Sequence, residues 1–469
     1  MSLAWILPAL NWSIRLWAIW AVPRRRSPNA ARAWLLLILV LPLVGVALYS
    51  IFGRAYLPLK RRERQVRANA SIQKARMEFG TPDLVEVEGA RQATAVLAAK
   101  LGAFPVLGGN RAEIIDDYQG FVDRLVADID AAGKSVHLLF YIFEPDATGR
   151  RVADAVLRAA ARGASCRVLM DGMASAPGLK KLAPRLREAG VEVIPLLSPG
   201  TFRTRRDLRN HRKIAVLDGR VGYTGSQNLV DAYDYKGRGL TYEDLMVRVE
   251  GPVVRQLAAI LLTDRFLETG EHPDDGAVPL PAEAGTVRAQ ALPSGPTYEV
   301  ENNERTFVQM LYGARKRIVV TTPYFVPDRP FVDAMLAGAI RGLDVHLITP
   351  LQADQWLVRL AQESYYGELL AANVKIHLYR PRFLHAKHVS VDDDLCAIGS
   401  SNLDMRSFTL NEEDMLFFYD RGVVADLARV QERTMSEATL LDDLEKWKKA
   451  RPPLRRTAQR LARLVDSVL

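Results

Sequence analysis

Cysteine is scarce. Two residues, Cys166 and Cys396, stand in 469, too few for a disulfide framework, and both sit in apolar, strand-like runs that read as buried free thiols. The chain has no CxxC and no HExxH, and His385 with His388 has no cysteine or carboxylate set around it that looks like a metal site, so no metal is expected. A convincing GxxxxGK[ST] loop is missing, which argues against a nucleotide cofactor. Basic stretches interleaved with aromatics, which would stack a single nucleic-acid strand, are not evident either. The N-terminus lacks a basic region ahead of its apolar run and a clear small-residue cleavage site, so a removed signal peptide is not the expected reading.

What is present is basic and repeated. The net charge is +9, favouring an anionic partner. The stretch HRKIAVLDGRVGYTGSQN (211–228) recurs as HAKHVSVDDDLCAIGSSN (385–402), with His, Lys, Asp, Gly-Ser and Asn at the same offsets, 174 residues apart. Each copy reads as a β-hairpin, since short β-branched runs flank the turn residues Asp218-Gly219 or Asp392-Asp393. A two-residue turn would set His211 opposite Ser226 with Asn228 beside it, and His385 opposite Ser400 with Asn402 beside it. Lys213 and Lys387 fall two residues from their histidines, on the same strand face. Imidazole, ammonium, hydroxyl and amide together suit a phosphate group. Asp218 and Asp392 fall at the turns with opposite parity and read as structural.

The repeat extends beyond the motifs. AGKSVHLLFYIFEPD (132–146) parallels ARKRIVVTTPYFVPD (314–328), and each is followed by a helical pattern and another apolar strand. This alternation predicts an α/β fold of two similar domains, 110–270 and 291–450, joined by a Pro/Gly/acid-rich linker at 271–290. Residues 33–53 carry no charge over 21 positions and would span roughly 30 Å as a helix, so a transmembrane segment is expected there. Residues 2–22 are apolar but contain Pro8, Asn11 and Arg15, and either span or lie in the interface, completing an N-terminal membrane region at 1–58. The Arg/Lys cluster at 54–67 favours a cytoplasmic catalytic part over the smaller cluster at 24–32. A juxtamembrane linker is expected at 59–109, with 60–80 either a charged helix or solvated chain. The tail 451–469 fits a basic amphipathic helix, lying on a membrane or on the protein's own body.

The repeated HxK(x4)D(x6)GSxN resembles the phospholipase D superfamily, in which two such motifs face each other across one active site. The flanks SGPTYEVEN, TTPYFVPD, FLHAKHVSVDD and SSNLDMRSFTLNEE, with the apolar N-terminal segments, look like bacterial cardiolipin synthases. The resemblance implies two phospholipase D-like domains in a pseudo-twofold arrangement with the cleft between them. It implies His211 as nucleophile and His385 as general acid, with Lys213, Lys387, Asn228 and Asn402 holding the phosphate oxygens. Ser226 and Ser400 would be supporting donors, and Glu413 a carboxylate bonded to a catalytic histidine. In the first half the counterpart would be Asp244 or Glu243, and Glu412 departs from the pattern. The implied substrate is phosphatidylglycerol in a bacterial inner membrane rich in anionic lipid. No cofactor or nucleic-acid partner is implied. Phospholipase D hydrolysis or a phosphatidylserine synthase-like transfer is the alternative chemistry, and a nuclease is disfavoured.

Overall fold

The computed structural model describes residues 3–25, 28–53, 59–78, 86–198, 207–233, 237–271, 281–298, 301–450 and 452–463. Its first half contributes strands β1 (Leu107–Ile115), β2 (Ser135–Phe140), β3 (Ser165–Asp171), β4 (Glu192–Leu196), β5 (Arg209–Asn210), β6 (Lys213–Leu217), β7 (Val221–Gly225), β8 (Tyr242–Glu243) and β9 (Met246–Glu250). The second contributes β10 (Val287–Ser294), β11 (Arg317–Thr321), β12 (Phe325–Val326), β13 (Asp344–Pro350), β14 (Lys375–Tyr379), β15 (Phe383–Leu384) and β16 (His388–Val391). It continues with β17 (Leu395–Gly399), β18 (Leu403–Asp404), β19 (Asn411–Phe418) and β20 (Ala438–Leu441).

One mixed sheet runs through both halves, in the order β20-β14-β13-β11-β16-β17-β19-β10-β1-β9-β7-β6-β2-β3-β4. Outward from the central antiparallel pair β1 and β10, each strand of one half meets its repeat in the other: β9 with β19, β7 with β17, β6 with β16, β2 with β11, β3 with β13, β4 with β14. The duplicated Pro-Asp has a plain cause. Asp146 and Asp328 cap the helices Ala147–Ala161 and Arg329–Ile340, their carboxylates accepting from backbone N–H groups of the first turn.

Three apolar clusters fill the body. One belongs to the first half and one mainly to the second. The third joins Leu139, Ile214 and Val247 to Val319, Ile398 and Leu416, so the halves share a core across the seam. Residues 86–102, expected in a linker, pack into the second half instead: Val87, Ala95 and Ala98 are buried beside Phe307 and Met310. Arg91 ties this segment down by bonding Asp392 at 2.6 Å and Asp394 at 2.8 Å. The expected linker 271–290 lies partly outside the described residues, and its end already belongs to β10.

The N-terminal region differs from the expectation. Residues 33–53 do not form one helix, because Pro42 lacks the N–H that would continue the ladder. Two helices result, α2 (Pro28–Val40) and α3 (Pro42–Phe52), following α1 (Leu3–Ala21). At about 1.5 Å per residue, α2 and α3 reach only about 20 Å and 17 Å. They fold against each other so closely that a Cβ on Gly45 would stand 2.7 Å from the Ile38 Cα. No helix among the described residues is long and apolar enough to cross a membrane. All three pack around Ala18, Trp34, Ile38 and Tyr49 while leaving Trp12, Leu16, Trp20, Leu36, Leu43 and Val44 exposed.

The 60–80 stretch is helical, α4 (Leu59–Glu78), and docks on the helix Val254–Thr269. Arg61 is buried against Glu268, and Arg64 donates to the Leu267 carbonyl at 2.6 Å. The tail forms the helix Pro453–Arg463, which packs on the helix Trp356–Ala371 through Arg455 and Gln459 to Glu363 and Arg463 to Glu368. Residues 464–469 of the expected amphipathic tail lie outside the described residues.

Candidate active site

The turn of each motif is one residue longer than expected. Leu217 pairs with Val221 and Val391 with Leu395, so three residues, not two, close each loop. The left-handed backbone at Asp218 (φ 55°), Gly219 (φ 65°) and Asp392 (φ 54°) makes that turn possible. The extra residue moves the register by one, and neither His211 nor His385 lies opposite its serine. Each histidine stands just ahead of its hairpin and belongs to a different pairing.

That pairing crosses between the halves. β5, immediately before His211, lies parallel to the start of β19, with Glu412 beside Asn210. β15, immediately before His385, lies parallel to β8, with Glu243 beside Leu384. His211 N–H donates to the Glu412 carbonyl at 2.8 Å, and His385 N–H to the Glu243 carbonyl at 2.7 Å. The next residue along then reaches the ring. Glu413 Oε2 lies 2.9 Å from His211 Nδ1, and Asp244 Oδ1 lies 2.7 Å from His385 Nδ1. Each half therefore orients the other half's imidazole. Spacing alone paired no acid with a particular histidine; the two-residue bridges that decide it are too short to leave a periodic signal.

His211, His385, Asn228 and Asn402 line one cavity of about 380 Å³. Lys213 and Lys387 stand behind that lining, each with Nζ donating to the carbonyl of its own motif histidine. Lys213 is fully buried, 5.2 Å from the centre of the Tyr141 ring. Ser400 Oγ donates to Glu413 Oε2 at 2.5 Å, and Ser226 Oγ accepts from Leu245 N–H at 2.9 Å, so both serines brace the carboxylate-bearing strands. Asp218 accepts from the N–H groups of Gly133, Lys134 and Ser135 at 2.8–3.0 Å. Asp392 does the same for Arg315, Lys316 and Arg317. Both acids fasten a turn to the loop before β2 or β11, away from the cavity.

Burial and the facing charges set the electrostatics of the site, and Glu413 and Asp244 are both held down by the histidine each one bonds. Burial pushes His211 down to about 3; Glu413 pulls the other way, while the Lys213 and Lys387 charges add to the drop. Burial likewise lowers Lys213 to about 8, against the attraction of Glu413 and Asp244. Burial alone would raise Asp244, but the His385 charge and bond outweigh it and hold the carboxyl at about 2.

Glu412, the odd residue of its run, has its own explanation. It is buried with Arg212, 3.3 Å away, which fills the motif position held by Ala386 in the other half. Arg212 also pairs with Asp264 and donates to the Glu413 carbonyl at 2.9 Å. Arg61 of α4 approaches Glu412 to 3.7 Å from the far side. Sequence reading missed this network, and also Tyr141, whose ring stands 4.6 Å from that of His211. Comparing HRK with HAK was the available signal.

Residues 125–263 and 307–435 match the family model for the cardiolipin synthase, PLD-like domain, and residues 14–54 that for the phospholipase D-nuclease N-terminal region. Cardiolipin synthase A of Pectobacterium carotovorum is 37% identical over 453 residues, covering 93% of this chain and 92% of its own. Cardiolipin synthase A of Yersinia pseudotuberculosis is 36% identical over the same length and with the same coverage. The crystal structure of phosphatidylserine synthase from Haemophilus influenzae matches in fold, with a TM-score of 0.61 at 15% identity, covering 80% of this chain and 100% of that one.

Proposed function

The chain belongs to the cardiolipin synthases of the phospholipase D-like family, and from that membership we propose that it transfers a phosphatidyl group from one phosphatidylglycerol to another, giving cardiolipin and glycerol. The observation that carries this reading is the single cavity lined by both motif histidines, each held by a carboxylate of the opposite half. In both rings Nδ1 faces the carboxylate, so the chemistry falls to Nε2.

His211, kept neutral by burial, is the nucleophile. Its Nε2 bonds to phosphorus as the bond to the glycerol oxygen breaks, and His385, oriented by Asp244, hands a proton from Nε2 to that oxygen. The phosphatidyl group is then held as a phosphohistidine. The terminal hydroxyl of a second phosphatidylglycerol attacks, gives its proton back to His385, and releases His211. Asn228 and Asn402 hold the non-bridging oxygens, with Lys213 and Lys387 offsetting their charge from behind the lining. One phosphodiester replaces another, so no nucleotide is consumed.

The exposed tryptophans and aliphatic side chains of α1–α3 support seating in a bilayer as a re-entrant or interfacial unit. Lys60, Arg62 and Arg67, solvent-facing on α4, fit the anionic cytoplasmic face of a bacterial inner membrane.

Labelled phosphatidylglycerol in liposomes tests the reaction. Cardiolipin and free glycerol in equal amounts are expected, and phosphatidic acid as the sole lipid product would replace transfer with hydrolysis. An acid-labile, base-stable lipid adduct on His211, lost in His211→Asn, separates nucleophile from acid.

A further inference from the structure

The duplication supplies an internal control on what the cavity binds. Groups needed at the reacting phosphorus come in matched pairs, one from each half: two imidazoles, two amides, two ammoniums and two carboxylates. Groups that break the pairing serve something off that centre. The fixed positive charges lining the cavity among the described residues are Arg209 and Arg406, and both break it; the one acid in that lining, Asp404, is engaged in capping its own helix, accepting from Ser407 N–H at 2.7 Å.

At the motif's own offset of 174, the counterpart of Arg209 is Phe383. The offset holds at Arg209, because Arg209 pairs with Asn411 as Phe383 pairs with Tyr242, whereas Arg406 sits in the short helix Met405–Thr409, which has no matching helix at 229–233. Phe383 is buried against Tyr242, with ring centres 4.9 Å apart, so the His385 side carries aromatic packing where the His211 side carries a guanidinium. Asn411, which lines the cavity near the arginines, matches Tyr242 when Glu413 is set on Asp244. Arg209 and Arg406 come together because β5 ends at the motif while Arg406 donates to the Asp207 carbonyl two residues before Arg209. Both line the same cavity as Tyr141, whose ring packs on His211. The arginine-bearing wall is thus next to the nucleophile and off the midline.

We infer that Arg209 and Arg406 form a second anion site, which holds the phosphodiester of the acceptor phosphatidylglycerol while its terminal hydroxyl reaches the phosphorus on His211. The inference rests on the transfer reading above and names what that reaction requires. Cardiolipin carries two phosphodiesters on one glycerol, so the second step brings two phosphates together, separated only by a three-carbon bridge. Water or a free alcohol as acceptor brings no second phosphate. The donor's one phosphate is engaged at the imidazoles, which leaves the acceptor's as the anion for an off-centre arginine pair. Two guanidiniums offer planar, forked donors suited to a phosphodiester.

The test uses the full-length protein in liposomes of phosphatidylglycerol with labelled glycerol in the buffer. Each reaction is scored for cardiolipin formed and for label exchanged into phosphatidylglycerol. Exchange passes through the same phosphohistidine but uses an acceptor with no phosphate. Arg209→Gln and Arg406→Gln should each lower the ratio of cardiolipin to exchange at least about tenfold, the effect expected for a lost charged hydrogen bond. Arg209→Lys and Arg406→Lys should recover much of it. Because the readout is a ratio within one sample, partial loss of folded protein does not mimic it. Parallel loss of both activities would place the arginines on the reacting phosphate and overturn the proposal, as would an unchanged ratio. Wild-type protein that exchanges glycerol but makes no cardiolipin would instead overturn the transfer reading, before any variant is compared.

Discussion

Glu413→Gln is the substitution on which the crossed arrangement is most exposed. The side chain is buried, and Oε2 takes both the His211 ring N–H at 2.9 Å and the Ser400 hydroxyl at 2.5 Å. Glutamine keeps the shape and removes the charge. On the proposed mechanism His211 goes from neutral to cationic as its bond to phosphorus forms, so the carboxylate's contribution grows toward the transition state. A unit charge about 4 Å away at an effective dielectric near 20 is worth about 4 kcal/mol, and a charge-assisted hydrogen bond about 1.5–3 kcal/mol by substitution. Taking about 2–4 kcal/mol as the loss, the rate of phosphohistidine formation should fall about 30- to 1000-fold. The KM for phosphatidylglycerol should change little, because the ground state has a neutral ring. The measurement is single-turnover glycerol release, normalised to folded protein by a thermal melt, since the variant also removes a partner of buried Lys213. A rate above about a third of wild type, well inside the loss expected of a charged partner, would show that Glu413 does not act on His211 and that the crossed pairing is only architectural.

Three further outcomes are expected. Activity should fall as pH rises through about 8, because Lys213 is depressed to that value and its cationic form, present below it, is lost above it; a pH profile flat to 10 would remove Lys213 from the phosphate's environment. Arg61→Gln should destabilise the fold by about 3–5 kcal/mol, since it removes the cationic partner of the buried Glu268 carboxylate and the more distant of the two arginines at Glu412; a chemical-denaturation midpoint matching wild type would show that α4 is not anchored by that residue. Asp218→Ala should cost about 1–3 kcal/mol by leaving three backbone N–H groups without their acceptor; turnover per folded molecule should stay close to wild type, and a selective loss of turnover would make the motif aspartate catalytic.

The parts legible in the sequence were those with a repeat or a period. The duplicated motif, the alternation of strand and helix, and the Pro-Asp helix starts all carry local signals that survive without tertiary context. The legible parts ended where a single residue or a distant partner decided the outcome. One extra turn residue shifts a register, and hairpin spacing cannot distinguish a two-residue from a three-residue loop when Asp-Gly suits both. One proline divides an uncharged run that hydropathy reads as continuous. The helix Gln92–Gly102 looks like linker because its apolar residues are mostly alanines, yet they fit against the second half's core. Glu412 looked like a misfit until Arg212 and Arg61 were found on either side of it.

The crossing also ties the two motif histidines of the duplicated enzyme to surroundings that differ. Had each half supplied its own carboxylate, the two sites could have diverged separately, and each half would hold a complete oriented imidazole. Here β5 needs β19 and β15 needs β8, so neither ring is oriented until both halves are folded together. Asymmetry then enters through the flanks rather than the motif. On the His211 side the acid is a glutamate backed by a buried Arg212–Glu412 pair, and the wall beyond it carries Arg209 and Arg406. On the His385 side the acid is a shorter aspartate held at about 2, with Tyr242 and Phe383 packed around the ring. On the proposed mechanism the nucleophile, His211, stands beside the arginine-bearing wall and the general acid, His385, beside the aromatic one. That difference is reached without altering a residue of the shared His, Lys, Asp, Gly-Ser and Asn pattern.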